Sequence, residues 1–195
     1  IVATNMHLSE KFGSTWHEIE RDGLHIDRMV PMAVNTDSAV DSVVAMSQCM
    51  DGMARTLSDL KPDLLLILGD RYEMLAVAST ALILRIPIAH IAGGAVSRGA
   101  YDESIRHSIT KMSHIHLTET EEYRRRVIQL GENPANVHNV GAMGVYNIHH
   151  LQYPSREQLE AELGTSIPQN TLLCTFHHAT LETIEPRIQF ENLLA

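Results

Sequence analysis

An aspartate and an arginine, Asp70 and Arg71, follow directly on an apolar run and a glycine, Leu64-Leu65-Leu66-Ile67-Leu68-Gly69. A carboxylate can act as a general base, and a guanidinium can grip a phosphate through two parallel N–H···O bonds. Asp70 also suits a helix cap, a role that needs no substrate, because residues 72–84 read as a helix. A second cluster spans 102–107. Asp102 and Arg106 are spaced i, i+4, as are Glu103 and His107, so each pair shares one strip of a helix. Such ion pairs also decorate solvated helix surfaces. Between the clusters, Gly93-Gly94 permits close backbone approach to a ligand, or simply a tight turn. His177, followed by His178, ends another apolar run and could hold a phosphate or transfer a proton. No Cys or acidic ligand set accompanies this pair, and the remaining histidines lack ligand spacing apart from the adjacent His149 and His150, so no metal site is expected.

The elements that must position these groups are legible around them. The run before Asp70 is apolar on both faces, which suits a strand inside a parallel sheet. Residues 88–91 form the next strand and end at Gly93-Gly94. Ligands of open α/β sheets bind beyond the carboxyl ends of such strands, so two consecutive strands deliver acid, base and glycine to one edge. Further strands are expected at 1–4, 28–32, 114–118 and 137–140, and helices at 15–21, 72–84, 103–112 and 121–130. Thr36-Asp37-Ser38 could cap a long helix that carries Val40, Val43, Val44, Met46, Met50, Met53 and Leu57 at near-helical spacing, its methionines assigned to the core. In the helix at 103–112, Ile105, Ile109 and Met112 form the buried strip. This alternation predicts an α/β protein with a Rossmann-like, doubly wound parallel sheet. Past Gly144 the pattern changes: 146–154 is polar and His-rich, 156–163 reads as a short helix, and 171–176 as a new buried strand. The expected organisation is a domain over 1–144, a linker over 145–168 and the opening of a second domain over 169–195. The chain opens inside a strand-like run without Met and closes in what reads as mid-helix, the pattern of a piece of a longer polypeptide.

Composition narrows the function classes. A net charge of −9 over 195 residues argues against nonspecific nucleic-acid binding. It leaves room for an anionic ligand, which a local basic group and a few backbone N–H groups can hold. Cys49 and Cys174 are too few for a disulfide framework and fit reduced thiols in a cytoplasmic protein. No apolar stretch approaches membrane-spanning length and no signal peptide is visible, so no membrane partner is expected.

Three stretches carry a resemblance: Leu68-Gly69-Asp70-Arg71-Tyr72-Glu73, His90-Ile91-Ala92-Gly93-Gly94, and the run from Asp102-Glu103-Ser104-Ile105-Arg106-His107 to His114. With Val2-Ala3-Thr4-Asn5-Met6-His7-Leu8 and Arg126-Val127-Ile128-Gln129-Leu130-Gly131-Glu132, they resemble the hydrolysing UDP-N-acetylglucosamine 2-epimerases. The branch these stretches most resemble supplies N-acetylmannosamine, or its diacetamido analogue, for sialic- and legionaminic-type sugars. The resemblance implies the N-terminal half of a two-domain glycosyltransferase-B-type fold whose first strand precedes Ile1. It implies a UDP-sugar substrate, no metal or nicotinamide cofactor, and a homo-oligomer. UDP would be eliminated across C1–C2 to a 2-acetamidoglucal, which water then converts to the 2-epimeric sugar. By the same resemblance Asp70 is the active-site aspartate and Arg71 contacts UDP. Asp102 is the second carboxylate, Arg106 is its partner on the helix turn, and His177 reaches the nucleotide. Gly93, Gly94, Glu103 and His107 fall among the substrate-binding positions. The chain departs from the family at Ala92 and Ala95, one of which is commonly glutamate, at Tyr146, commonly aspartate, and at His178, commonly proline. Two rival readings are a catalytically weakened UDP-sugar-binding homologue and a glycosyltransferase of the same architecture.

Overall fold

Strands and helices alternate along the chain in a computed structural model that describes residues 1–32, 38–177 and 181–195. β1 (Val2–Thr4) leads through α1 (Trp16–Arg21) to β2 (Arg28–Val30), and the two strands pair in parallel. α2 (Ala39–Leu60) then crosses to a second parallel sheet of order β3-β4-β5-β6. Its strands are β3 (Leu65–Leu68), β4 (Ile88–Ile91), β5 (Ile115–Thr118) and β6 (Val137–Asn139). The crossovers between them are α3 (Tyr72–Ile83), α4 (Asp102–Met112) and α5 (Glu121–Gln129). Every ladder is parallel, as helix crossovers require. The α/β class is therefore the expected one.

One departure shapes everything near the site. The strands form two sheets instead of one, and β1 faces β3 across a cleft of about 1030 Å³. Strand β3 was expected to be covered on both faces. Only Ile67 is buried, whereas Leu64, Leu66 and Leu68 are 45, 59 and 51% exposed. Alternate residues of a strand share a face, so these three leucines present one bare apolar face.

The core lies on the other side. α2 buries Ala45, Cys49, Met53, Thr56 and Leu57 against α3, whose small residues Ala76, Ala78 and Ala81 let the helices approach closely. The buried stripe runs one strip round from the expected one: Val40, Val43, Val44 and Met50 are exposed, and only Met53 and Leu57 of the anticipated set are fully buried. Gly52 explains part of this rotation, since a Cβ there would overlap the Val30 side chain and hold α2 off β2. Ser38 is the N-cap of α2, accepting from the Asp41 amide at 3.1 Å, while Thr36 and Asp37 lie outside the described residues. Ile105 and Ile109 of α4 are buried as expected, and Met112 packs partly against the core.

Beyond β6 come α6 (Met143–His150), α7 (Arg156–Leu163) and α8 (Pro186–Leu194), and none of them buries a residue. α6 was not anticipated, because 146–154 reads as polar; it is held locally, with Tyr146 stacked on His150 at 3.9 Å. α7 has a full capping box, Ser155 with Gln158, and ends at Gly164 in the left-handed region. The strand expected over 171–176 does not form. Leu172 and Leu173 are 93 and 97% exposed, and no described strand lies alongside to build a ladder with them. A lone extended segment has no hydrogen-bonding partner to make it a strand.

Candidate functional site

The site grows from the carboxyl ends of β3 and β4. Gly69 turns the chain at φ +81° after β3 and places Asp70 just before α3. Asp70 is not a cap: Arg71 occupies the N-cap position of α3, which has no side-chain cap bond. The Asp70 carboxylate instead forms an ion pair with Arg106 of α4, the two side chains being 22 and 6% exposed. Both terminal nitrogens of the guanidinium are engaged. It donates to the Ala95 carbonyl at 2.9 Å and to the Ser97 hydroxyl at 2.7 Å, and lies 3.5 Å from the Glu103 carboxylate. The Ser97 amide donates to Glu103 at 2.5 Å, and Glu103 faces His107 Nε2 at 3.4 Å. A chain of polar contacts thus runs Asp70, Arg106, Glu103, His107.

This corrects one sequence expectation. Arg106 does not pair with Asp102, although the spacing allows it; its acidic partners are Asp70 and Glu103. Helical side chains lean toward the helix N-terminus, so positions i−3 and i−4 are both within reach. Glu103 has the longer arm and is pinned by the Ser97 amide, which holds its carboxylate within reach of the guanidinium. Asp102 remains half-buried in the first turn of α4.

Arg71 is also engaged differently. Its Nε donates to Glu73 Oε1 at 2.6 Å, with Arg71 half exposed and Glu73 buried. Sequence reasoning gave Glu73 no role, and its only local signal is a place in the first turn of α3 two residues after Arg71. The second oxygen of Glu73 and the amide nitrogen of Asn5 find no hydrogen-bond partner among the described residues, and both residues line the cleft between β1 and β3.

Gly93 and Gly94 are packed against protein. A Cβ on Gly93 would lie 3.2 Å from His90 Nδ1 and 3.3 Å from Thr110 Oγ1. On Gly94, at φ +82°, it would overlap the Tyr123 carbonyl and stand 2.9 Å from Val127 Cγ2. The Gly94 carbonyl accepts from Arg126. The close approach these glycines allow is therefore to β4, α4 and α5. His177 is exposed in the irregular segment before α8 and forms no hydrogen bond or ion pair with Asp70 or Arg106; His178 lies outside the described residues. Among the described residues no group of three His, Cys, Asp or Glu is arranged to hold a metal ion, and no helix is long and apolar enough to cross a membrane. Cys49 is buried, which pushes its thiol up to about 11 and leaves it protonated and inert.

His90, also unassigned from sequence, is wholly buried, and burial pushes its pKa down from 6.5 to about 4 against the opposing hydrogen bond to the Gly69 carbonyl. The unfolded chain takes up this proton near 6.5, while the native state refuses it until about 4. Native stability from neutral His90 is accordingly complete above pH 6.5 and lost as pH falls toward 4, by about 3 kcal/mol. Urea unfolding at a series of pH values should show this loss, and His90→Gln should flatten it. Parallel curves for the two proteins between pH 7 and 4 would contradict a buried neutral imidazole.

The family model described as UDP-N-acetylglucosamine 2-epimerase matches residues 1–195. The chain is 41% identical over 195 residues to the polysialic acid biosynthesis protein P7 of Escherichia coli, matching 100% of this chain and 50% of that protein. It is 39% identical over 194 residues to the GDP/UDP-N,N'-diacetylbacillosamine 2-epimerase (hydrolyzing) of Campylobacter jejuni, again over 100% of this chain and 50% of the relative. The chain thus spans about half the length of the curated relatives it matches. Among solved structures, the UDP-GlcNAc 2-epimerase of Neisseria meningitidis bound to UDP-GlcNAc superposes with a TM-score of 0.66 at 18% identity, over 84% of this chain and 45% of that one. The UDP-N-acetylglucosamine 2-epimerase of Rickettsia bellii gives 0.66 at 19%, over 85 and 43%. At such identities these two likenesses establish the fold.

Proposed function

Because the chain belongs to the UDP-N-acetylglucosamine 2-epimerase family, we propose that its parent polypeptide is a hydrolysing UDP-sugar 2-epimerase acting on a 2-acetamido sugar nucleotide. The observation that carries this reading is Asp70, a carboxylate fixed by buried Arg106 at the carboxyl end of a parallel strand. The C2 proton beside an acetamido group is only weakly acidic. A positioned carboxylate must remove it while UDP departs, and water then adds to the resulting 2-acetamidoglucal. The leaving diphosphate gathers charge, which Arg71 at the head of α3 and the helix N-terminus itself can stabilise. Asp102 and His177 stand as the further carboxylate and the nucleotide-side histidine of this proposal, and Glu103 and His107 as substrate-side groups. The proposed product is N-acetylmannosamine or its diacetamido analogue, made in a cytoplasmic homo-oligomer, and the relatives named for N,N'-diacetylbacillosamine support the diacetamido sugar.

The proposed organisation is a domain over 1–144, a linker over 145–168 and the opening of a nucleotide-binding domain over 169–195. Support comes from the exposure of Leu64, Leu66 and Leu68 on one apolar face, and from the chain's spanning about half the length of its curated relatives. A second reading is a UDP-sugar binder with weakened catalysis. Its support is Ala92 and Ala95, which cannot transfer a proton, and the commitment of the Ala95 carbonyl to Arg106.

The deciding experiment is proton NMR of the intact polypeptide with UDP-N-acetylglucosamine, and separately its diacetamido analogue, in deuterated water. UDP together with the 2-epimer deuterated at C2 is the expected outcome. Line broadening without products selects the binder, and no interaction with either sugar overturns both. The 195-residue chain run in parallel should stay silent; turnover at the intact rate would overturn the proposed organisation.

A further inference from the structure

We infer that His90 is a positioning residue that clamps together the two segments bearing the Asp70–Arg106 pair, and that Gly93 is there to admit the clamp. The inference rests on Asp70 being the reacting carboxylate proposed above. Its geometry does not depend on that role.

The imidazole is completely buried in β4. Its Nε2 lies 2.8 Å from the carbonyl of Gly69, the residue before Asp70. A carbonyl can only accept, so Nε2 carries the hydrogen and Nδ1 of the neutral ring is the acceptor. The Thr110 hydroxyl donates its one hydrogen to the carbonyl of Arg106 at 3.0 Å, and its oxygen packs against Nδ1 at 3.5 Å. One ring therefore touches the turn that holds the carboxylate and the helix turn that holds its guanidinium. The Gly69 amide donates to the Ile91 carbonyl at 3.1 Å, so both polar backbone groups of Gly69 are tied to β4. A glycine at φ +81° is free to swing, and these two bonds are what hold it. The titratable group facing His90 from the neighbouring strand is His116 of β5, itself held to Glu132 at 3.2 Å. Nothing in this arrangement reaches solvent or moves a proton to substrate. The chemistry of His90 is exerted through Gly69.

The test uses the intact polypeptide with His90→Leu, His90→Gln and Gly93→Ala, reading kcat and KM together with site-resolved hydrogen exchange at the Asp70 amide and the Arg106 guanidinium. Loss of the clamp should lower kcat about 100-fold with KM little changed, since small misplacements of a reacting group cost that much. Exchange at Asp70 and Arg106 should rise in the same variant before exchange rises in the core of α2. Gln can place an amide N–H where Nε2 stands and should recover most of the loss, whereas Gly93→Ala, which presses on the ring without removing it, should reproduce it. A folded His90→Leu protein with unchanged kcat, or with exchange raised evenly throughout, overturns the proposal. If His90→Leu does not fold, the contrast between His90→Gln and Gly93→Ala decides: equal exchange at Asp70 in both overturns it. Should the wild-type polypeptide prove inactive, the proposed function falls while the exchange contrast still tests the clamp.

Discussion

Asp70→Asn is expected to lower kcat of the intact polypeptide by about 1000-fold, the range in which a lost general base falls, while UDP-sugar still binds. The substitution keeps the shape and removes both the base and the negative charge. Arg106 is only 6% exposed, and Glu103 at 3.5 Å would be the carboxylate left within ion-pair distance of it among the described residues. Leaving a buried cation short of its partner costs roughly 3 kcal/mol, so a loss of stability should accompany the loss of rate. The two effects separate by experiment. UDP release measures the first and urea unfolding the second, and Asp102→Asn is the control, because Asp102 forms no pair with Arg106 and its loss should leave stability nearly unchanged. An Asp70→Asn enzyme that turns over at the wild-type rate removes Asp70 from the chemistry whatever its stability.

Gly94→Ala should be the most disruptive small substitution in the sheet domain, at about 4 kcal/mol of lost unfolding free energy. Two causes add. A residue with a Cβ at φ +82° carries backbone strain of about 1–2 kcal/mol. The added methyl would also overlap the Tyr123 carbonyl and sit 2.9 Å from Val127 Cγ2, so the backbone of α5 must shift. Backbone yields less readily than the end of a side chain. Gly131→Ala separates the causes: at φ +97° its Cβ would meet only Lys111 Nζ, at 3.7 Å, so it should lose the strain term alone. Urea midpoints compare the two directly, and equal losses would show that packing against α5 contributes nothing.

The parts of this protein written locally were readable locally. The strand Ile88–Ile91 was placed to the residue, and so was the helix Arg156–Leu163. In each case the signal lies within a few positions: an apolar run between Pro87 and the glycines, or Ser155, Gln158 and Gly164 as start and stop. Asp70, Arg71, Asp102, Glu103, Arg106 and His107 were singled out because strand ends and helical spacing are one-dimensional patterns, and the family resemblance added to both. Other features depend on residues that meet only in three dimensions. Arg106 pairs with Asp70 and Glu103 instead of Asp102 because the fold brings the β3–α3 turn and the Ser97 amide, which holds Glu103, to its guanidinium, and sequence spacing says nothing of either. His90 and Ser97 carried no local signal, since their partners arrive from a preceding strand end and a following helix. The stretch 171–176 has the composition of a strand, but a ladder needs a neighbour, and Leu172 and Leu173 stand in solvent without one. Sequence alone determined the alternation of parallel strands and helices from Val2 through Asn139, and it set Asp70 and Gly93-Gly94 just past the carboxyl ends of two neighbouring strands. Tertiary structure decided which charges pair there, because pairing follows from distance and desolvation.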